Sequence, residues 1–287
     1  MTDFSRSMAQ TRPFKVGLIG RGIQASRTPA MHIAAGQVLG FDYRYTLLDL
    51  DQMTTEPALC DLLDKAEAEG FAGLNITFPY KKQVMQHLHH LSDSARTVGA
   101  VNTVVFRDGE RHGHNTDFWG FAEGMRQHLP GADMATTLLL GAGGAGGAVA
   151  HALKALGTQT LLIHDIDPKT ADALAEQTGG TPVTSLEAAS RAATGVVNAT
   201  PMGMAKLPGT AIPPDLLRAD HWVTDIVYFP LETALLRAAR AKGCRTLNGG
   251  GMALFQAVRA FELFTGTKPD PAVMRARFEA FDTGLSQ

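Results

Sequence analysis

Lys81 closes the run Asn75-Ile76-Thr77-Phe78-Pro79-Tyr80-Lys81, in which an apolar strand ends in a polar turn and a lysine opens the next helical segment. A cation at a helix N-terminus opposes the macrodipole, so the placement costs stability and points to a use. An amine whose surroundings favour its neutral form gives and takes a proton near neutral pH, which is general acid–base chemistry. An ordinary surface lysine would read the same way locally, as Lys82 does. Asp117, in Gly113-His114-Asn115-Thr116-Asp117, can pair with Lys81 or hold a substrate hydroxyl; it can equally be the N-cap of the helix that follows. Asn102, in Ala100-Val101-Asn102-Thr103, can donate to and accept from a hydroxyl. Ser26-Arg27-Thr28-Pro29 sets two hydroxyls at i and i+2 before a proline. They suit a polyol or a carboxylate, and they also suit a helix start with Thr28 at the N-cap. Gln256 is polar inside an otherwise apolar helical stretch, where a buried amide needs partners that a polar substrate can supply.

A second group of residues points to a phosphate-bearing ligand. The run Leu138-Leu139-Leu140-Gly141-Ala142-Gly143-Gly144-Ala145-Gly146-Gly147-Ala148 reads as a strand, a glycine turn and a helix over residues 148–156. Gly141, Gly143 and Gly146 fit G-x-G-x-x-G, which lets a pyrophosphate approach backbone N–H groups at a helix N-terminus. A tight strand–helix turn wants glycine too. Another apolar strand, residues 160–164, ends at Asp165, at the interval expected of a ribose-binding acid. An aspartate there accepts both ribose hydroxyls of NAD, and its charge repels the 2′-phosphate of NADP. A helix cap before Pro168 is the alternative reading. Asn198-Ala199-Thr200-Pro201-Met202-Gly203-Met204 follows a further strand and would face a cofactor at the sheet's carboxyl edge.

Positioning these groups takes two α/β units, the natural prior for 287 residues. Strands are expected at 15–19, 43–50 and 73–76, with helices at 28–38, 56–69 and 81–87. That alternation argues for a mostly parallel sheet. Residues 101–106 and 111–114 read as a hairpin around Asp108-Gly109, and 117–129 as a helix broken by Pro130-Gly131. From residue 136 the strand candidates 137–140, 160–164, 195–198, 222–227 and 245–247 form a doubly wound, nucleotide-binding sheet. Helices at 252–264 and 272–281 are expected to return to the first unit, leaving a cleft between the two.

Bulk properties narrow the function. A net charge of −2 without a long basic run gives no support to nucleic-acid binding. Cys60 and Cys244 form no CxxC, which suits a reducing cytosol. Residues 1–12 are polar with no signal-peptide core, and no apolar run reaches membrane-spanning length. His87, His89 and His90 do not share one helix face, so no metal is expected there.

The motifs S-x-[ST]-P, N-[IV]-T-x-P-x-K, A-V-N-T, G-x-N-T-D, the glycine-rich loop, N-A-T-P-x-G and G-x-x-M-x-x-x-Q follow one another along the chain. In this the chain resembles the shikimate dehydrogenase family over residues 15–281. The resemblance implies a substrate domain, residues 1–117 completed by helices in 257–287, and a Rossmann cofactor domain, residues 118–256. It implies Lys81 and Asp117 as the catalytic pair. Ser26, Thr28, Thr77, Asn102 and Gln256 would hold the hydroxyls and carboxylate of a cyclohexane or cyclohexene acid. Gly141, Gly143, Gly144, Ala145, Gly146, Asp165, Thr200, Pro201, Met202, Gly203, Met204, Ile226 and Gly249 would line the dinucleotide. Biosynthetic members of the family carry Asn-Arg-Ser or Asn-Arg-Thr after the second Rossmann strand, where arginine grips the 2′-phosphate of NADP. Here stands His164-Asp165-Ile166-Asp167, and the first motif holds Thr28 for the usual serine. Both features are similar to the NAD-dependent quinate/shikimate dehydrogenases of quinate-degrading bacteria. The expected activity is hydride transfer between NAD and one ring carbinol of quinate or shikimate, in a cytoplasmic enzyme with no membrane partner; a homodimer is left open. The alternatives are an NADP-dependent biosynthetic shikimate dehydrogenase and a non-catalytic ligand sensor on the same fold. The run Asn248-Gly249-Gly250-Gly251, where an aspartate commonly precedes the first glycine, has no reading.

Overall fold

Two six-stranded sheets divide the chain. The computed structural model describes residues 13–55 and 57–281; the polar stretch 1–12 and Glu56, the first residue of the expected helix 56–69, lie outside the described residues. The first sheet holds β1 (Phe14–Gly20), β2 (Tyr43–Asp49), β3 (Phe71–Ile76), β4 (His90–Leu91), β5 (Thr103–Arg107) and β6 (Glu110–His114), in the order β2-β1-β3-β5-β6-β4. β1 pairs in parallel with β2 and β3, as the crossover helices α1 (Thr28–Val38) and α2 (Leu59–Ala68) require. β5 and β6 form the expected hairpin. Asp108 and Gly109 both have positive φ, 55° and 75°, the condition for a turn whose twist matches the strands.

The expected helix at 81–87 is a correction. Residues 78–82 form turns, and only a 3-10 helix, Gln83–His87, follows before β4 begins. Tyr80 and Val84 are drawn into the core at 6% and 0% exposure. The short helix α3 (Asp93–Val98), capped by Ser92, was not anticipated.

The second sheet holds β7 (Thr136–Leu140), β8 (Thr160–His164), β9 (Thr181–Pro182), β10 (Gly195–Asn198), β11 (Trp222–Asp225) and β12 (Arg245–Leu247). Its order is β12-β11-β10-β7-β8-β9 with every pairing parallel. That is the doubly wound arrangement, and its switch point lies between β7 and β10. Helices α5 (Gly144–Ala155), α6 (Pro168–Thr178), α7 (Leu186–Ala192) and α8 (Ala234–Ala241) cover it. α5 begins four residues earlier than its apolar pattern, because Gly144 to Gly147 take helical conformation against the turn.

Three helices join the units: α4 (Thr116–His128), α9 (Gly250–Thr265) and α10 (Pro271–Ala280). Phe121 and Met125 of α4 are buried with Leu139, Val149 and Val197 of the second unit. Leu254, Phe261 and Phe264 of α9 and Met274 and Phe278 of α10 are buried with Val16, Met31 and Tyr43 of the first. α4 and α9 meet at Gly120, where a Cβ would lie 2.6 Å from the backbone nitrogen of Gln256. Only glycine permits that approach, so the contact carries the first unit's edge onto the C-terminal helices.

Candidate active site

The first sheet brings distant motifs to one edge. β1 and β3 end together, with Ile19 opposite Ile76. β5 begins beside the end of β3, and β6 ends beside the start of β5, through Thr103 opposite both Asn75 and His114. The loop after β1 (Ser26, Thr28), the turn after β3 (Thr77, Lys81), Asn102 and the start of α4 (Asp117) therefore share an edge. Backbone bonds fasten them: Thr77 N donates to Ile19 O at 2.9 Å, Ile76 N to Asn102 O at 2.8 Å, and Val101 N to Lys81 O at 2.8 Å.

Lys81 Nζ donates to Asp117 Oδ2 at 2.6 Å, and the two side chains are 23% and 12% exposed. Charge-assisted bonds are short in this way. Asp117 is not the N-cap of α4: Asn115 is, its side chain accepting from Phe118 N at 3.0 Å while its Nδ2 donates to Ala100 O at 3.0 Å. Asp117 lies in the first turn, where the helix dipole favours a carboxylate. Lys81 precedes only a five-residue 3-10 helix, so the macrodipole argument for its placement loses its helix; the carboxylate contact takes its place.

Asn102 is held by its oxygen. Oδ1 accepts from Thr116 N at 2.7 Å, Thr116 Oγ1 at 3.1 Å and Thr103 Oγ1 at 3.2 Å. Its Nδ2 has no hydrogen-bond partner among the described residues, so the amide offers donors to a ligand. Behind it, Asn75 accepts from the Tyr45 hydroxyl at 2.8 Å and donates to Thr103 Oγ1 at 3.0 Å. Burial pushes the Tyr45 phenol far up, so it stays a donor.

Thr28 is not the N-cap that the sequence allows. Thr28 is the first residue of α1, and the flanking residue is Arg27, which makes no side-chain cap. It is Ser26 Oγ that faces the Thr28 N–H, at 3.4 Å. Arg27 is buried, donates to Phe278 O at 3.0 Å, and lies over the rings of Phe229 and Phe278 at 5.5 and 4.8 Å. Asp49, at the end of β2, anchors the preceding loop. It accepts from Gly22 N (3.0 Å), Ile23 N (3.1 Å), Gln24 Nε2 (2.9 Å) and Asp51 N (3.2 Å). Burial alone would raise its pKa, but these bonds outweigh it and hold the carboxyl below its ordinary range. Gln256 is half-buried, and its Nε2 donates to Ala253 O at 3.1 Å, so its own helix supplies one partner. Its backbone lies against Gly120, one turn after Asp117.

The other edge belongs to the second sheet. Gly141 has φ 94°, and a Cβ there would sit 2.8 Å from Thr200 Cγ2; a Cβ on Gly146 would fall 2.2 Å from Gly141 O. These two positions require glycine. Gly143 and Gly144 are exposed at the start of α5, with nothing within 4 Å of an added Cβ, so their backbone is open to a phosphate. Ala145 follows in the first turn of α5. Asp165 is not a helix cap; Asp167 caps α6. Asp165 Oδ2 accepts from Ala142 N at 2.7 Å and Oδ1 from Asp167 N at 2.9 Å, leaving lone pairs for ribose hydroxyls. These residues fit a dinucleotide.

Thr200, Pro201, Met202, Gly203 and Met204 follow β10 and are held by Asn198, which opens the same motif, and by Asp225, which the sequence reading missed. Asn198 accepts from Thr200 N (3.0 Å) and Oγ1 (2.7 Å) and donates to Met202 O and Asp225 Oδ1, both at 2.9 Å. Asp225, fully buried, also accepts from Thr233 Oγ1 at 2.7 Å and Val227 N at 3.0 Å. Burial raises its pKa, against the effect of those bonds. Polar residues at the ends of apolar strands, Gly195–Asn198 and Trp222–Asp225, were the available signal. Ile226 and Gly249 meet here too, a Cβ on Gly249 lying 2.2 Å from Ile226 O.

A glycine turn at the switch point of a parallel sheet, beside a second α/β unit that presents a Lys–Asp pair, defines the class: a two-domain α/β dehydrogenase with a Rossmann-type sheet. The model of the shikimate dehydrogenase substrate binding domain matches residues 18–104, and that of the shikimate 5′-dehydrogenase C-terminal domain matches residues 249–277. A quinate/shikimate dehydrogenase (NAD(+)) of Corynebacterium efficiens is 50% identical over 274 residues, covering 92% of this chain and 96% of that one. A shikimate dehydrogenase (NADP(+)) of Pseudarthrobacter chlorophenolicus is 46% identical, covering 94% and 95%. The structure of quinate dehydrogenase from Corynebacterium glutamicum in complex with NAD superposes with a TM-score of 0.90 at 47% identity, over 93% of this chain and 99% of that one. The chain belongs to the shikimate dehydrogenase family.

Proposed function

We propose that this chain oxidises quinate and shikimate with NAD, reversibly, to 3-dehydroquinate and 3-dehydroshikimate. The observation that carries the reading is the Lys81–Asp117 contact of 2.6 Å on one unit, joined to a glycine turn closed by Asp165 on the other. NAD, when bound, supplies the hydride acceptor. In the oxidation, Lys81 Nζ as the free amine takes the carbinol hydroxyl proton, and the ammonium so formed is stabilised by Asp117. With 23% of its side chain exposed, Lys81 can then pass that proton to water; in the reduction the same steps run backwards. Asn102 Nδ2 donates to a ring hydroxyl, and Ser26, Thr28, Thr77 and Gln256 hold the remaining hydroxyls and the carboxylate.

The reading divides the labour between a substrate domain, residues 1–117 completed by 257–287, and a cofactor domain, residues 118–256. The burial of α9 and α10 in the first unit's core supports it. The boundary at 256 falls inside the continuous helix α9, so it separates functions rather than rigid bodies. Cys60 and Cys244 are unpaired, in keeping with the reducing cytoplasm this reading assigns. Among the described residues, no helix is long and apolar enough to cross a membrane.

The NADP-dependent biosynthetic reading has the support of relatives such as the Pseudarthrobacter enzyme. It lacks an arginine to pair with a 2′-phosphate: the end of β8 offers Asp165, an exposed Ile166 and Asp167 instead. The presence of both Lys81 and Asp117 speaks against a non-catalytic sensor. Initial rates with quinate or shikimate against NAD or NADP test all three. Turnover of both acids with NAD, at a kcat/KM about tenfold or more above that with NADP, is the expected result. A preference for NADP, or no quinate turnover, overturns it.

A further inference from the structure

At the outer edge of the first sheet, β4 lies parallel to β6 with His90 opposite His112. Glu110 stands two residues before His112 on β6, so the two side chains leave the same face. His90 Nε2 is 2.9 Å from Glu110 Oε2, and His112 Nε2 is 3.9 Å from that same oxygen. The two imidazole rings stack with centroids 4.8 Å apart and planes 19° from parallel. One ligand atom from each of the three residues lies within 4.8 Å of the other two.

We propose that His90, Glu110 and His112 bind one divalent transition-metal ion of the zinc class, with water completing the coordination. Two imidazoles and a carboxylate are the donor set such borderline ions take. Donor atoms around a tetrahedral zinc ion, each about 2.0–2.1 Å from it, stand about 3.3 Å apart. The distances of 2.9 and 3.9 Å bracket that separation, and the third donor pair lies within 4.8 Å, so the site must tighten to bind. The side chains are 53%, 50% and 32% exposed, so small rotations about their χ angles can close the triangle without moving backbone. A plain His90–Glu110 ion pair accounts for the first distance. The cross-strand stack of His112 on His90 brings the second imidazole toward the same oxygen, so the three donors converge.

The strand pairing is what assembles the site. Spacing along the chain brings His87, His89 and His90 to attention, but His89 Nδ1 is taken by the Arg111 N–H at 2.9 Å and His87 contacts Gln86 at 3.3 Å. The second imidazole comes from β6 instead. β4 lies on the segment that leads away from Lys81, and β6 runs directly into Asn115 and Asp117. An ion bridging the two strands clips together the segments that carry both members of the Lys–Asp pair, while touching neither of them.

The test uses tag-free, full-length protein stripped by chelator and titrated with Zn²⁺ by calorimetry and thermal melting, with Co²⁺ as a visible-absorption probe. One equivalent of zinc is expected, with Tm rising by about 2–10 °C at saturation and cobalt absorption bands characteristic of nitrogen and oxygen ligands. His112→Ala and Glu110→Gln are each expected to weaken zinc binding by about tenfold or more, with kcat in the absence of metal unchanged. Wild-type binding no tighter than millimolar overturns the proposal. So does zinc binding that persists unchanged in His90→Ala, His112→Ala and Glu110→Gln.

Discussion

The contact between Lys81 Nζ and Asp117 Oδ2 sets the sharpest demand on single residues. Lys81→Ala should lower kcat by about 10²–10⁴, the range for loss of a general acid–base, with KM for the ring acid changing far less because other groups hold it. Steady-state kinetics decide; near-normal kcat would remove Lys81 as the proton carrier. Asp165 makes a second demand. Asp165→Asn keeps an acceptor for Ala142 N and removes the charge, so it should relax discrimination against NADP while weakening NAD modestly. Asp165→Ala also frees the glycine turn and should weaken both cofactors. Measured kcat/KM values for NAD and NADP separate the two effects; an unchanged ratio in both variants would dismiss the charge argument. A pairing of Lys81 with Asp117 was legible from the two motifs that hold them, as was an aspartate directly after the strand at 160–164. Asp225 was not legible, nor were the supporting contacts of Asn75 and Asn198, which open two of the motifs, since each acts through partners that only the folded sheets bring near, such as Tyr45 beside Asn75 and Thr233 beside Asp225.

At the scale of elements, strand ends and their loops carry the site. The strands 160–164, 195–198 and 245–247 were readable to the residue, because short apolar runs between turn signals leave little choice of boundary. The segment after β3 misled, since Lys81 and the residues after it carry a helical pattern that the nearby sheet edge cuts short. The loop between β1 and α1 shows how an element can depend on one distant side chain. Asp49→Ala removes the acceptor for two loop N–H groups and the Gln24 amide, so Ser26 and Thr28 lose their fixed approach. KM for quinate and shikimate should rise several-fold, about 1 kcal/mol of binding, with kcat less affected. The pH dependence has a definite sign. The folded Asp49 pKa lies below its ordinary 3.8, so its anchoring is complete above that value and fades as pH falls through the lower folded pKa. Any change in KM between pH 5 and 9 must then come from other groups. A KM in Asp49→Ala equal to that of the parent would show that the loop holds itself.

For the whole molecule, the join between the two units decides stability, and a buried histidine reports on it. The chain's ordering of motifs implied C-terminal helices returning to the first unit and gave the helix after residue 117 to the second; it held no sign that α4 would touch α9 through Gly120, because a glycine contact leaves no apolar pattern. His32 sits where α1, β2 and α9 meet. It is fully buried, 2.9 Å from the Tyr43 hydroxyl and packed edgewise or tilted on Tyr45, Phe261 and Phe264. Burial lowers its pKa from 6.5 to about 3. The native state therefore keeps it neutral at pH values where the unfolded chain protonates it. Its contribution is complete above pH 6.5 and is lost as pH falls toward 3, at about 1.4 kcal/mol per pH unit, or about 2 kcal/mol between pH 6.5 and 5. His114, lowered to about 4 by burial and by Arg259, His112 and Arg107, adds a slope of the same sign. Urea unfolding should give a free energy that is level from pH 7 to 8 and falls below pH 6.5. His151 and His221, also lowered by burial, add to that fall, so His32→Gln, which retains a partner for Tyr43 and cannot titrate, should start less stable and fall less steeply. Parallel pH profiles for the parent and the variant would show that His32 is reached by solvent in the native state, and that the packing of α9 on α1 and β2 is looser than its geometry describes.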